Sequence, residues 1–314
     1  MTPIFPGASV KTDSRMLDRL QYWPVVLLVR LLGALPRPIA HAVGIAIGGL
    51  VYSLHPRLRK VGRRNLQLAF PEKTAAERQR ILRGVYVSLG RLLGETCLFP
   101  RYTRANISQI AVYQGFENFD TAEKRGKGVL LLTAHLGGWE VGSFFHSLCG
   151  HPMQIVVRPL DNPYVDALVT HYRGLHGNTL IGKQEFARGL IAAMRQNQTV
   201  GILMDTNMTP PQGVFVDFFG RLACTASGLA RVALHTGATV VPAFTIWDSA
   251  LRKYRVEFDR PVELVRTGND DADATANTAR FTKIIEEYVR RYPDQWLWVH
   301  RRWKTRPAGE EPLY

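Results

Sequence analysis

Two residues able to move protons lie five positions apart, His135 and Glu140, in the stretch Thr133-Ala-His135-Leu-Gly137-Gly138-Trp-Glu140. The apolar run before them, Val129 to Leu132, is short enough for a buried strand. Gly137 and Gly138 bend the chain, and Trp139 to Leu148 reads as a helix. His135 is therefore expected at the carboxyl end of a strand and Glu140 in the first turn of the next helix. In open α/β sheets that crevice is where ligands bind. Residues five apart do not share one face of a continuous helix, but across a strand–turn–helix corner they can meet. A carboxylate there fixes the imidazole in one tautomer and offsets its charge once it takes a proton. Such a base needs no nucleophilic side chain and acts directly on a substrate hydroxyl. The plainer reading is a buried histidine at a strand end and an acid favoured by a helix N-terminus.

Other residues suited to chemistry fall at the ends of expected strands. Arg158 closes Met153-Gln-Ile-Val-Val-Arg158-Pro159, on the same sheet edge as His135, where a guanidinium suits a phosphate, a carboxylate or a developing oxyanion. Asp205 ends Gly201-Ile-Leu-Met-Asp205, where it holds a sugar hydroxyl, pairs with a cation or caps a turn. The proline-containing stretch Thr206 to Gly213 reads as a lid, and Phe215, Phe218 and Phe219 after it line either an acyl slot or the core. Gly177 to Gln184 nearly matches a phosphate-binding loop, but Gln184 lacks the hydroxyl that would hold Mg²⁺. Nucleotide binding is set aside, and Lys183 is kept as a phosphate contact. The chain has no G-x-S-x-G elbow and no H-E-x-x-H helix.

The elements that must position these residues occupy 314 residues, with 46% hydrophobic side chains and a formal net charge of +14. So basic a chain expects anionic company: nucleic acid, an anionic membrane face, a phosphorylated substrate or an acidic carrier protein. Cys97, Cys149 and Cys224 are odd in number and far apart, which fits a reducing compartment and small core side chains rather than a disulfide or metal framework.

Residues 1–15 read as a loose tail, and 16–104 as a helical membrane-anchoring region. Two apolar runs, Tyr22 to Leu35 and Ile39 to Leu54, are separated by Pro36-Arg37-Pro38. Neither reaches the ~20 apolar residues that span a bilayer cleanly. A signal peptide is disfavoured by Arg30 within the first run and by the lack of a small-x-small site after it. A buried helical pair competes with the favoured reading, a segment seated in one leaflet. Arg57, Arg59, Lys60, Arg63 and Arg64 follow at once, a juxtamembrane cluster of the kind that binds anionic lipid and marks the cytoplasmic side. Thr74-Ala-Ala-Glu77 is a capping box opening a helix to about residue 98.

Residues 105–307 alternate strand and helix, which predicts an α/β domain with helices on both faces of its sheet. Strands fit at 109–114, 128–133, 153–158, 200–204, 239–246 and 254–258; helices fit at 138–149, 162–176, 184–196, 225–236 and 276–291. Thr267 to Ala276 reads as an acidic loop. Gln295-Trp-Leu-Trp-Val-His-Arg301-Arg302-Trp-Lys304 interleaves tryptophan with cations, a pattern suited to nucleic acid or to a membrane interface. The apolar runs tip it toward the membrane, with Arg301 and Arg302 as lipid or phosphate contacts. Residues 308–314 are a tail.

From about residue 20 to 307 the chain resembles the lipid A biosynthesis lauroyl/myristoyl acyltransferases. The resemblance rests on Asn65-Leu66 through Phe70-Pro71-Glu72; His135-Leu-Gly-Gly-Trp-Glu140; Val157-Arg158-Pro159; Met204-Asp205 with Asp217-Phe-Phe-Gly220; Thr236-Gly-Ala through Val241-Pro242; and the tryptophan-rich tail. The family pattern looks like H-x-G-N-W-E, and Gly138 here stands in the asparagine place. The resemblance implies a glycerolipid-acyltransferase-like fold: a mixed, mostly parallel sheet flanked by helices, after an N-terminal helical membrane-associating segment. It implies a transferase at the cytoplasmic face of the inner membrane that moves a fatty acyl group from a thioester, on acyl carrier protein or CoA, to a hydroxyl of a phosphorylated glycolipid.

On this reading His135 is the base and Glu140 orients it. Backbone N–H groups of Gly137 and Gly138, or Arg158, meet the oxyanion, and Arg158 and Asp205 hold a head group. Neither a metal nor a bound cofactor is called for. Within the same chemistry the alternative is another glycolipid or a phospholipid as acceptor, with acyl-CoA as donor. A basic nucleic-acid-binding protein is the remote alternative.

Overall fold

A computed structural model describes the backbone of residues 9–182 and 186–314, with side chains from Met16 onward. Four helices come first: α1 (Ser9–Ala34), α2 (Arg37–Leu54), α3 (Pro56–Ala69) and α4 (Ala75–Cys97). The reason for the breaks is local. Pro38 lies in the first turn of α2 and Pro56 opens α3, positions where the missing N–H is not needed. Thr74 and Glu77 form the expected reciprocal cap on α4.

α2 lies against α4 through glycine. A Cβ at Gly44 would stand 2.2 Å from the carbonyl oxygen of Gly90, and one at Gly48 2.2 Å from that of Tyr86. Only glycine lets the two backbones come this close. Apolar side chains of α1 and α2 are left bare elsewhere: Trp23, Leu27 and Leu31 on α1 and Ile39, Leu50 and Leu54 on α2 are all exposed. Among the described residues α2 is the one helix long and apolar enough to cross a membrane, at 18 residues with a mean hydropathy of 1.2. The segment thus has one face buried on α4 and the other left apolar and open.

The rest of the described chain builds a seven-stranded sheet. In chain order its strands are β1 (Ala111–Gln114), β2 (Val129–Thr133), β3 (Gln154–Val157), β4 (Thr179–Gly182), β5 (Thr199–Leu203), β8 (Thr239–Asp248) and β9 (Lys253–Phe258). Their spatial order is β1-β9-β8-β2-β5-β3-β4. Every pairing is parallel except the β8–β9 hairpin, as expected of a mixed, mostly parallel sheet. The chain crosses between strands through α5 (Phe116–Lys124), α6 (Trp139–Leu148), α7 (Pro163–Arg173), α8 (Phe186–Arg195) and α9 (Gly228–Thr236), and α10 (Asp270–Arg291) closes the fold.

One choice left open by the sequence is settled, and two expectations are corrected. Thr206 to Gln212 is irregular, and the phenylalanines after it belong to a separate hairpin, β6 (Gly213–Phe218) with β7 (Arg221–Ala226). Phe218 and Phe219 are buried in an aromatic cluster with Phe70, Trp296, Trp298 and Trp303, so they are core. The supposed acidic loop is the first turns of α10: Asn269 caps it, and Asp270, Asp271 and Asp273 sit where the helix dipole favours acids. The tail at 308–314 is tied down, with Arg64 donating to the Leu313 carbonyl at 2.9 Å and the Tyr314 hydroxyl bonding Asn65.

Candidate functional site

β2 delivers His135 to the carboxyl edge of the sheet, as its sequence predicts. The next residues leave the strand under close restraint. Gly137 has φ +59°, and a Cβ there would sit 2.1 Å from the Thr245 carbonyl oxygen, so the loop is pressed onto β8. The Gly137 N–H donates to the Gln295 carbonyl at 2.9 Å and the Gly138 N–H to the Thr245 carbonyl at 2.7 Å. Both are spent within the protein and neither is open to an oxyanion, contrary to expectation. Leu297 N–H in turn donates to the His135 carbonyl at 3.0 Å. The segment 295–297 is therefore stitched along the loop that bears the histidine.

The residue that grips the imidazole is Asp205. Its Oδ1 lies 2.8 Å from His135 Nδ1, and its Oδ2 accepts from the His135 backbone N–H at 3.0 Å and from Trp296 Nε1 at 2.7 Å. The carboxylate is wholly buried. β2 and β5 pair in register, Thr133 with Leu203, so the residues just past each strand end are neighbours across the edge. An ionised carboxylate only accepts, so in the neutral ring Nδ1 carries the proton and Nε2 keeps its lone pair. Nε2 has no hydrogen bond among the described residues. The ring, 22% exposed, stands edge-on to Trp139 and lines a large cavity.

Glu140 reaches the same cavity by another route. It sits in the first turn of α6, and its carboxylate is held by Arg173 of α7, whose Nε lies 3.0 Å from Oε2. The expectation that Glu140 is the acid hydrogen-bonded to His135 is not what the geometry shows. The five-residue spacing brings both to one cavity wall, but Asp205 occupies Nδ1 and Arg173 occupies Glu140.

The charges reinforce one another. Burial pulls the His135 pKa down, but the Asp205 charge and hydrogen bond, with a smaller contribution from Glu140, outweigh it and leave the imidazole more basic than usual. Burial pushes Asp205 the other way, yet His135 and the Trp296 N–H hold its carboxyl well below the usual range.

The cavity encloses about 770 Å³ at the carboxyl edge of β2, β3 and β5. Its walls are largely apolar, among them Leu131, Ile155, Leu203, Met204 and Met208, while His135, Glu140, Arg158 and Arg173 supply a few polar groups. That mixture is typical of a site for a small or elongated organic ligand. Arg158, exposed just beyond β3, lies at the wall where strand-end reasoning put it. Lys183 lies outside the described residues. Among the described residues no group of three His, Cys, Asp or Glu side chains is placed to hold a metal ion.

The basic residues split into two kinds. On α3, Arg57, Lys60 and Arg63 are exposed, whereas Arg59 turns back to the carbonyls of Tyr52 and Ser53 and Arg64 holds the C-terminal residues. Arg301 is exposed, but Arg302 is not a surface cation: only 1% exposed, it donates to the Cys224 carbonyl at 3.1 Å and to Thr225 Oγ1 at 2.5 Å. Burial pulls its pKa down to about 10. Trp296, Trp298 and Trp303 are likewise fully buried, so the tryptophan–cation tail packs the core behind the site and is not an interfacial belt. The sequence reading missed Arg173 as a site residue, and it also missed Trp296. Its position in a segment rich in cations masked a tryptophan needed for its indole N–H.

The family described as bacterial lipid A biosynthesis acyltransferase matches residues 8–305. A lipid A biosynthesis lauroyltransferase of Escherichia coli (strain K12) is 28% identical over 298 residues, covering 93% of this chain and 94% of that protein. A lipid A biosynthesis palmitoleoyltransferase of the same strain is 28% identical over 281 residues, covering 89% and 90%. A lipid A biosynthesis acyltransferase of Haemophilus influenzae is 30% identical over 298 residues, covering 93% and 92%.

Proposed function

Since the chain belongs to the bacterial lipid A biosynthesis acyltransferase family and is an O-acyltransferase, we propose that it transfers a fatty acyl group in one displacement from a thioester to a hydroxyl of a lipid A precursor. The observation that carries the mechanism is the His135–Asp205 pair, with Nδ1 held at 2.8 Å and Nε2 left to the cavity. Nε2 takes the proton of the acceptor hydroxyl as that oxygen attacks the thioester carbon. Asp205 fixes the tautomer and stabilises the imidazolium. When the tetrahedral adduct collapses, the C–S bond breaks, and the proton on His135 passes to the departing thiolate.

The oxyanion is assigned to the cations of the cavity wall, Arg158 and Arg173, because the N–H groups of Gly137 and Gly138 already have partners. Glu140 acts through its field on His135 and by holding Arg173 in place. The apolar walls take the acyl chain. The reading includes acyl carrier protein as donor and a phosphorylated glycolipid as acceptor, both supported by the basic surface. Lys183 remains a phosphate contact.

Membrane seating is part of the same proposal. The exposed apolar side chains of α1 and α2 enter the cytoplasmic leaflet of the inner membrane, and Arg57, Lys60 and Arg63 with Arg301 meet its anionic head groups. The test is product analysis. Purified protein is incubated with a lipid A precursor and a mixed pool of acyl carrier protein and CoA thioesters, and the lipids are resolved by mass. An acylated precursor is expected from wild type and none from His135→Asn. Acylation by that variant, or of a phospholipid in place of the precursor, overturns the reading.

A further inference from the structure

A second cavity, of about 220 Å³, lies where the start of α2, the middle of α4 and the β8–β9 hairpin meet, away from the groove of His135. Its walls carry three guanidinium groups, Arg37, Arg91 and Arg252, together with His41 and the indole of Trp247. One carboxylate answers them from below. Glu95, fully buried, accepts from Arg37 Nε and Nη2 at 3.0 and 2.9 Å, from His41 Nε2 at 2.8 Å and from the Tyr102 hydroxyl at 2.5 Å. Its lone pairs are committed to those groups.

Arg91 and Arg252 are in no ion pair among the described residues. The Arg91 guanidinium, partly buried, lies 4.3 Å from the centre of the Trp247 ring, which fixes its plane without neutralising it. Arg252 is exposed at the rim, and its backbone carbonyl accepts from Arg37 Nη1 at 3.0 Å. Two forked donors, one partly desolvated and one at the rim, match the geometry of a phosphate.

The position of the cavity narrows the ligand. Pro38, Ala42 and Ile45 of α2 form one wall, and Ile39 and Val43 beside them are 49% and 38% exposed, continuing the bare apolar side of α1 and α2. A lipid whose tails lie along that side brings its head group to the rim where Arg91 and Arg252 stand. We propose that this cavity is an anion site for the phosphate of a membrane phospholipid, distinct from the catalytic groove. It rests on the membrane-seated reading of α1 and α2 and extends it, by docking a lipid where the helical segment joins the α/β domain. Gln295 joins the two places: it clamps Trp247 through its side chain, at 2.9 and 3.1 Å, and Gly137 through its carbonyl, at 2.9 Å.

The test uses full-length protein in a neutral detergent, so that it does not depend on vesicle attachment. Titration calorimetry compares short-chain phosphatidylglycerol, short-chain phosphatidylcholine and inorganic phosphate. Phosphatidylglycerol is expected to bind wild type more tightly than either of the others. Arg91→Gln/Arg252→Gln should weaken it tenfold or more, since each cation near an anionic lipid is worth about 1 kcal/mol. Arg252→Gln alone, at an exposed position, is expected to give a loss of several-fold and serves if the double variant does not fold. Unchanged phosphatidylglycerol affinity in the variants overturns the site. Inorganic phosphate binding as tightly as the lipid assigns it to a free anion and overturns the lipid assignment. His135→Asn should bind phosphatidylglycerol as wild type does, so failure of the acyl-transfer reading and failure of this one are separable.

Discussion

Asp205 and His135 meet across the carboxyl edge of the sheet from strands paired in register, the carboxylate taking both the ring Nδ1 and the backbone N–H of the same residue. Two contacts to one residue fix the ring as well as the loop that carries it. Glu140, five residues from His135, is directed to Arg173 instead. Asp205 thus touches the imidazole, and Glu140 acts on its charge only through space.

Replacing Asp205 by Asn should reveal its charge. His135 has a raised pKa, and in the proposed mechanism it works as a base only when neutral, so the rate should climb with pH through that raised value. Without the Asp205 charge, burial dominates and the pKa falls, moving the acid limb to lower pH. Loss of the correct tautomer should lower kcat by about 10²–10⁴-fold. A pH–rate profile whose acid limb stays in place would contradict the pairing.

Glu140→Gln should separate field from contact. Arg173 loses its partner, and kcat is expected to fall by about 10²-fold as the wall cation shifts. The acid limb should move less than in Asp205→Asn, because Glu140 acts on His135 through space alone. The two profiles measured side by side decide this.

His135→Asn and His135→Ala should both be inactive but differ in stability. An asparagine amide can still donate toward Asp205, whereas alanine leaves a fully buried carboxylate short of a donor. A lost hydrogen bond to a buried charge typically costs about 1.5–3 kcal/mol. Urea unfolding should therefore place the alanine variant below the asparagine variant.

Trp296→Phe removes the indole N–H that donates to Asp205 Oδ2 at 2.7 Å while keeping an aromatic ring in the core. Stability should drop by about 1.5–3 kcal/mol. Turnover should fall with KM nearly unchanged, since Trp296 touches the carboxylate and does not line the cavity. Equal losses in kcat and in substrate affinity would argue for a merely structural role.

Substitutions of the basic residues should sort surface from core. Arg57→Glu with Lys60→Glu is expected to weaken attachment to anionic vesicles by about 1 kcal/mol per lost cation, leaving the melting temperature unchanged. Arg302→Ala should destabilise by about 3 kcal/mol, the upper end for ordinary substitutions. Vesicle sedimentation and thermal melts distinguish the two.

What residue order determined by itself was local. The apolar run at 129–132, the glycines after His135 and the capping box at Thr74 specify elements from neighbours a few positions apart, and β2, α6 and α4 form where those patterns stand. The alternation of such elements was enough to give the α/β class and to place His135, Arg158 and Asp205 on one edge. What only the tertiary structure decided were partnerships between distant segments. Asp205 belongs to His135, Trp296 to Asp205, and Arg173 to Glu140, at separations of 70, 91 and 33 residues. A carboxylate has the same composition whether it caps a turn or grips an imidazole; the register of β2 against β5 chooses between them. Burial was hidden for the same reason. Arg301 and Arg302 are adjacent in the chain, and only the packing of β7 against the C-terminal segment makes one a surface charge and the other a core donor.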